Sequence, residues 1–120
     1  MSGIRTILLS VSFFLFSNIS GAASLTMVSE LSVKPELASE FLTWITTDLE
    51  LSRKSKGNLQ FDIYIDPYES GKFLFIERWE SKELQTEYIN WRSQRGDYLK
   101  MQDYLLAPPK MSTYLNSSDN

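Results

Sequence analysis

From residue 25 to residue 33 apolar and polar positions alternate, with Leu25, Met27, Leu31 and Val33 on one parity and Thr26, Glu30 and Ser32 on the other. Period two predicts a half-buried strand. Pro35 then suits the first turn of a helix, where its missing N–H costs nothing. Leu37, Phe41, Ile45 and Leu49 follow at four-residue steps, widened by Ala38, Leu42 and Trp44, so the next element is an amphipathic helix. Glu36 and Glu40 stand near its start and Arg53, Lys54 and Lys56 near its end, as the helix dipole favours. Gly57 is its stop signal. A second strand is expected over 58–65, with Leu59, Phe61, Ile63 and Ile65 on one face and Gln60, Asp62 and Tyr64 on the other. Asp66-Pro67-Tyr68-Glu69-Ser70-Gly71 has the residues of a hairpin connection. The third strand, 72–79, is apolar on both faces at its centre, Phe73-Leu74-Phe75-Ile76. Ser81 is placed to cap a second helix in which Leu84, Tyr88 and Trp91 share one side. Gly96 interrupts it, a short helical piece follows over about 97–106, Pro108-Pro109 stops that piece, and 110–115 reads as a last strand.

The order is β-α-β-β-α-β, which predicts an α+β, ferredoxin-like fold: a four-stranded antiparallel sheet with helices on one face. Two helices cover one face only. Rows of Phe73 or Leu74 left in water would form a patch on the order of several hundred Å², larger than monomers tolerate, so a second copy of the sheet is the expected cover and the chain is expected to be a homodimer.

Ahead of this domain the pattern changes. Arg5 precedes an apolar run over 7–19, and Ser20-Gly21-Ala22-Ala23 follows it, giving the basic, apolar and small-residue parts of a secretory signal peptide. The run is shorter than the ~20 residues a spanning helix needs, and Ser10, Ser12, Ser17 and Asn18 dilute it. Residues 1–23 are therefore expected to be a signal cleaved after Ala22 or Ala23, with no stable membrane anchor left. The domain covers 24–115, with 116–120 a polar tail. The expected location is periplasmic or secreted. An uncleaved membrane anchor is the bland alternative, and a start at Met27, which would lose only the first residues of the first strand, is another.

Composition narrows the chemistry. The 120 residues include no cysteine, so export brings no disulfide. They include no histidine either, which removes histidine triads, most zinc sites and an imidazole general base. Net charge is −3, one unit more negative once Arg5 is removed, and no basic stripe is present, so nucleic acid is not an expected partner. Aromatic residues make up 13% of the chain, enough to line a pocket for a flat ligand as well as to fill a core.

Val33-Lys34-Pro35 before an amphipathic helix, Ser52-Arg53 with Gly57 five residues after the serine, a strand, Asp66-Pro67, Gly71-Lys72-Phe73 and then Glu77-Arg78-Trp79-Glu80-Ser81 form an ordered set. Together they resemble the antibiotic biosynthesis monooxygenase family, over essentially the whole domain. The resemblance implies a dimeric α/β barrel. It also implies, for many members, oxidation of phenols, quinols or anthrones by molecular oxygen without metal or flavin, and for others haem degradation. The chain departs from the family at two places. Nine positions after Trp79, where members usually carry histidine, stands Tyr88, and at the place of the strand-one asparagine of the haem-degrading branch stands Val28. Haem degradation is disfavoured on both counts.

Within this frame Trp79, Tyr88 and Glu77 are the candidate catalytic residues. Trp79 is read as a pocket wall or as core. Tyr88 is a poor base but a hydrogen-bond donor to a substrate oxygen, or else a core tyrosine. Glu77, in a strand on the parity of apolar residues, is a base if desolvated; the structural reading gives it a partner in Arg78 of another subunit or a backbone amide. Trp91, Tyr64, Trp44 and Tyr98 are candidates to complete an aromatic substrate cavity. Arg92 and Arg95 are accounted for by the helix dipole, with steering of an anionic ligand the minor reading, and Asn116-Ser117-Ser118 matches a glycosylation acceptor that chance explains better in a polar tail. The expected function is cofactor-free monooxygenation of a small aromatic or quinol substrate with molecular oxygen. The alternative is a non-catalytic binding or interaction module on the same fold.

Overall fold

The structure is a computed structural model, and it describes residues 23–119. The expected signal segment lies outside the described residues except for Ala23. Strand β1 (Leu25–Ser32) leads through a 3-10 turn (Pro35–Leu37) into helix α1 (Ala38–Arg53). Strands β2 (Asn58–Ile65) and β3 (Lys72–Trp79) form a hairpin, followed by α2 (Lys82–Gln94), the short α3 (Asp97–Gln102) and β4 (Lys110–Leu115). The strands make one antiparallel sheet in the order β2-β3-β1-β4, the split ferredoxin-like arrangement expected from the sequence.

Local chemistry accounts for the joints. Asp66 Oδ1 accepts hydrogen bonds from the backbone N–H groups of Tyr68 (2.8 Å) and Glu69 (3.0 Å), which folds the β2–β3 connection and holds the Asp66 carboxyl below its usual pKa. Gly71 closes it at φ +87°, with its carbonyl accepting from Val33 N–H at 2.7 Å; a side chain there would press into the Val33 carbonyl. Ser81 caps α2 by accepting from Leu84 N–H at 3.3 Å.

Alternation places the odd-numbered residues of the sheet against the helices. Leu31, Val33, Phe61, Phe73, Phe75 and Trp79 pack with Phe41, Ile45, Tyr88 and Tyr104 in one core. Leu59 leaves the expected β2 face because a register irregularity between Asn58 and Gln60 removes it from the β3 pairing, and it is exposed. The even-numbered face carries Val28, Leu74 and Ile76, all half-buried, in cross-strand rows that run Tyr64–Leu74–Glu30–Lys110 and Asp62–Ile76–Val28–Ser112. At the open edge of β2, Arg53 Nε donates to the Phe61 carbonyl at 3.0 Å while its Nη2 pairs with Asp62 at 3.2 Å. Among the described residues no helix is long and apolar enough to cross a membrane.

Candidate functional site

Between the odd face of the sheet and the helices lies a cavity of about 310 Å³. Its wall is mainly apolar and aromatic: Met27 and Leu31 from β1, Trp44 and Ile45 from α1, Phe61 and Phe75 from the hairpin, Tyr98 and Met101 from α3. One end is polar, built from Asp48, Ser52, Glu77, Tyr88, Arg92, Asp97 and Tyr98.

Glu77 reaches the cavity because strand parity sends it inward with Phe75 and Trp79. It is only 5% exposed, and the Trp79 indole N–H donates to its Oε1 at 3.1 Å. Burial raises its pKa to about 7, against the opposing pull of the indole hydrogen bond and the Arg92 charge. Within the chain, the partner of Glu77 is thus an indole on the same strand.

Arg92 organises the rest. Its Nη1 donates to Asp48 (3.0 Å) and Asp97 (2.8 Å), its Nε to the Tyr88 hydroxyl (3.0 Å) and its Nη2 to Ser52 Oγ (2.9 Å). Burial disfavours the guanidinium charge, but the bonds to Asp97, Tyr88 and Asp48 outweigh it, so Arg92 remains a cation. Arg95 adds a second cation, 3.4 Å from Asp48 and 3.3 Å from Asp97. Ser52 Oγ and the Tyr88 hydroxyl are 2.7 Å apart, and either can donate. When Ser52 donates, the Tyr88 oxygen accepts from Ser52 and Arg92 and its own proton is free for the cavity. Burial raises the Tyr88 pKa, partly offset by those two hydrogen bonds, so it is a donor and not a base near neutrality.

The family model for antibiotic biosynthesis monooxygenases matches residues 24–100. The chain belongs to the antibiotic biosynthesis monooxygenase family. YcnE of Bacillus subtilis, a relative that carries a monooxygenase name, is 28% identical over 78 residues, 65% of this chain and 82% of that protein. An uncharacterised Synechocystis protein is 28% identical over 90 residues, which cover 71% of this chain and 57% of its own length. Among solved structures, one titled antibiotic biosynthesis monooxygenase superposes with a TM-score of 0.69 at 18% identity, covering 75% of this chain and 95% of its own. A conserved protein from Methanosarcina mazei gives 0.70 at 17%, covering 77% and 91%. These likenesses establish the fold.

Of the residues singled out from sequence, Glu77, Tyr88, Trp44 and Tyr98 line the cavity of this family member. Trp79 does not: it is fully buried behind it, its ring 4.8 Å from that of Tyr88, and supports Tyr88 and Glu77 from the core. Trp91 also lies outside the cavity. It is 38% exposed because α2 turns Gln85, Tyr88 and Arg92 inward, and it serves as a platform for the guanidinium groups of Arg92 and Arg95, 5.5 and 4.8 Å from its ring. Tyr64 is half exposed at the β2 edge, on the face away from the cavity. Val28 points to that face too; its cavity-facing neighbours are Met27 and Ser29, neither of which supplies an amide. The quartet Asp48, Ser52, Arg92 and Asp97 was not anticipated. The local signals for it are the four-residue steps from Asp48 to Ser52 and from Tyr88 to Arg92. Among the described residues no group of three or more carboxylates is arranged to hold a metal ion.

Proposed function

We propose that this chain is an exported homodimer that oxidises a small phenolic or quinol-type aromatic with molecular oxygen inside the cavity. The observation that carries the reading is Glu77: a carboxylate on the wall of an apolar, aromatic cavity with a pKa of about 7, suited to accept a phenolic proton near neutrality. The aromatic wall takes the ring, and the Tyr88 proton stabilises the substrate oxyanion as it forms. A quinol supplies all four electrons that oxygen requires: one oxygen atom enters the ring, the other leaves as water, and a hydroxyquinone results. The chain's residues position the ring, move one proton and keep water out. The half-buried patch of Val28, Leu74 and Ile76 supports pairing through the even face of the sheet, and the three-part pattern of residues 1–23 supports export.

Oxygen uptake by the purified protein, followed over a panel of hydroquinones and anthrones, tests the activity. We expect turnover that rises with pH through about 7 and falls roughly a hundredfold in Glu77→Gln, the size of a typical general-base contribution. Absence of uptake above background, or uptake indifferent to Glu77→Gln, would overturn it. Ligand binding without any uptake is the result that selects the non-catalytic alternative, which the tyrosine at position 88 in place of histidine favours.

A further inference from the structure

The geometry points to a cavity that admits uncharged hydroxylated aromatics and turns away aromatic carboxylates, with Glu77 and Tyr98 as the selecting pair. This rests on the cavity being the ligand site. A cation beside an aromatic cavity would ordinarily invite a carboxylate, and Arg92 lines this one. It is already committed. Four hydrogen bonds tie its guanidinium to Asp48, Asp97, Tyr88 and Ser52, and Arg95 completes a cluster of two cations and two carboxylates. An incoming anion finds that cluster neutral.

Beside the Tyr88 proton, a neutral donor, what the cavity leaves unpaired has the opposite character. Oε1 of Glu77 is held by the Trp79 indole, and its second carboxylate oxygen has no partner among the described residues. The Tyr98 hydroxyl lines the same cavity and makes no hydrogen bond among them either. One is an acceptor and the other a donor and acceptor. A ligand hydroxyl satisfies both by donating to Glu77 and accepting from Tyr98. A ligand carboxylate would face Glu77 as a like charge and lose its hydration with no free cation in return. The groups facing Glu77 are Trp79 on its own strand, Tyr88 and Arg92 from α2, Asp97 and Tyr98 from α3, and Asp48 from α1. Among them Arg92 is the only cation, and it is the committed one.

The probes are 2-naphthol and 2-naphthoate, two-ring compounds of nearly one shape, titrated anaerobically into the purified protein by calorimetry so that binding is read apart from turnover. Near pH 8 the phenol, with a pKa of about 10, is neutral and the carboxylate is ionised. We expect naphthol to bind tighter by roughly tenfold or more, as repulsive elements commonly set specificity. Glu77→Gln should shrink that preference several-fold by admitting naphthoate, and Tyr98→Phe should weaken naphthol alone. In the unaltered protein the preference should also shrink at about pH 5.5, where Glu77 is protonated and naphthoate is not. Naphthoate binding as tightly as naphthol near pH 8, or a preference unmoved by both Glu77→Gln and the lower pH, overturns the selectivity while leaving the cavity a ligand site. Failure of both probes to bind overturns the cavity reading itself.

Discussion

A carboxylic acid that folding strips of water titrates against the stability of the fold. Glu77 goes from an ordinary value of 4.5 to about 7, so the folded chain holds this proton more tightly than the unfolded chain does. Its contribution, about 3 kcal/mol, is fully present below pH 4.5 and is lost as pH rises through about 7. Glu77→Gln keeps an oxygen acceptor for the Trp79 indole and has no such titration. Urea unfolding should therefore show the glutamine variant gaining about 3 kcal/mol on the unaltered protein between acid and mildly alkaline pH. A difference that stays flat across that range would contradict the buried carboxylate. Glu77 and Tyr88 were legible beforehand because strand parity and helix spacing report which way a side chain faces. The clamp around Arg92 was not, since Asp48 and Ser52 lie 44 and 40 residues away on another helix. No local period reports a pairing between helices.

At the level of elements, period two locates the strand faces except at Leu59, whereas the helical stripe misplaces one side of α2. Leu84, Tyr88 and Trp91 satisfy a helical stripe on paper, yet the helix turns Gln85, Tyr88 and Arg92 inward and leaves Trp91 on the outside. The reason is electrostatic. Two carboxylates, Asp48 and Asp97, require a cation between α1 and α3, and Arg92 supplies it by displacing a tryptophan from that side. The sheet's even face is an element-level question too. If copies pair through the patch of Val28, Leu74 and Ile76, then Leu74→Lys places a charge in that contact without touching the odd-face core. Light scattering should give twice the chain mass for the unaltered protein and the single-chain mass for Leu74→Lys, with unchanged circular dichroism. A single-chain mass before mutation, at micromolar concentration, would remove the pairing.

Over the whole molecule, the β-α-β-β-α-β order was readable because each element announces itself through a period and a stop: Pro35, Gly57, Asp66-Pro67, Ser81 and Gly96 all stand at boundaries of the folded chain. Sheet order was not a matter of periodicity. It came from the rule that this succession closes as a split βαβ unit. The register irregularity at Asn58 and Gln60 escaped for a related reason, because alternation continues through it in sequence and only the pairing reveals it. The proposed export is likewise tested on the entire chain. Expressed from Met1 in a secreting bacterial host, the protein is expected in the periplasmic fraction with an intact mass beginning at Ala23 or Ser24. Recovery of the full-length mass from the cytosol would refute the signal.

Arg53 bears on how copies of this chain can meet. An edge strand with free carbonyls is a template onto which another chain can add by hydrogen bonding, the route to open-ended stacking. By occupying the Phe61 carbonyl and tethering itself to Asp62, the Arg53 guanidinium fills an acceptor in the middle of β2 that such an added strand would need. Growth of the sheet along that margin is thereby obstructed. On the proposed pairing, association is left to the broad side of the sheet, where two copies would close on each other and the assembly would end.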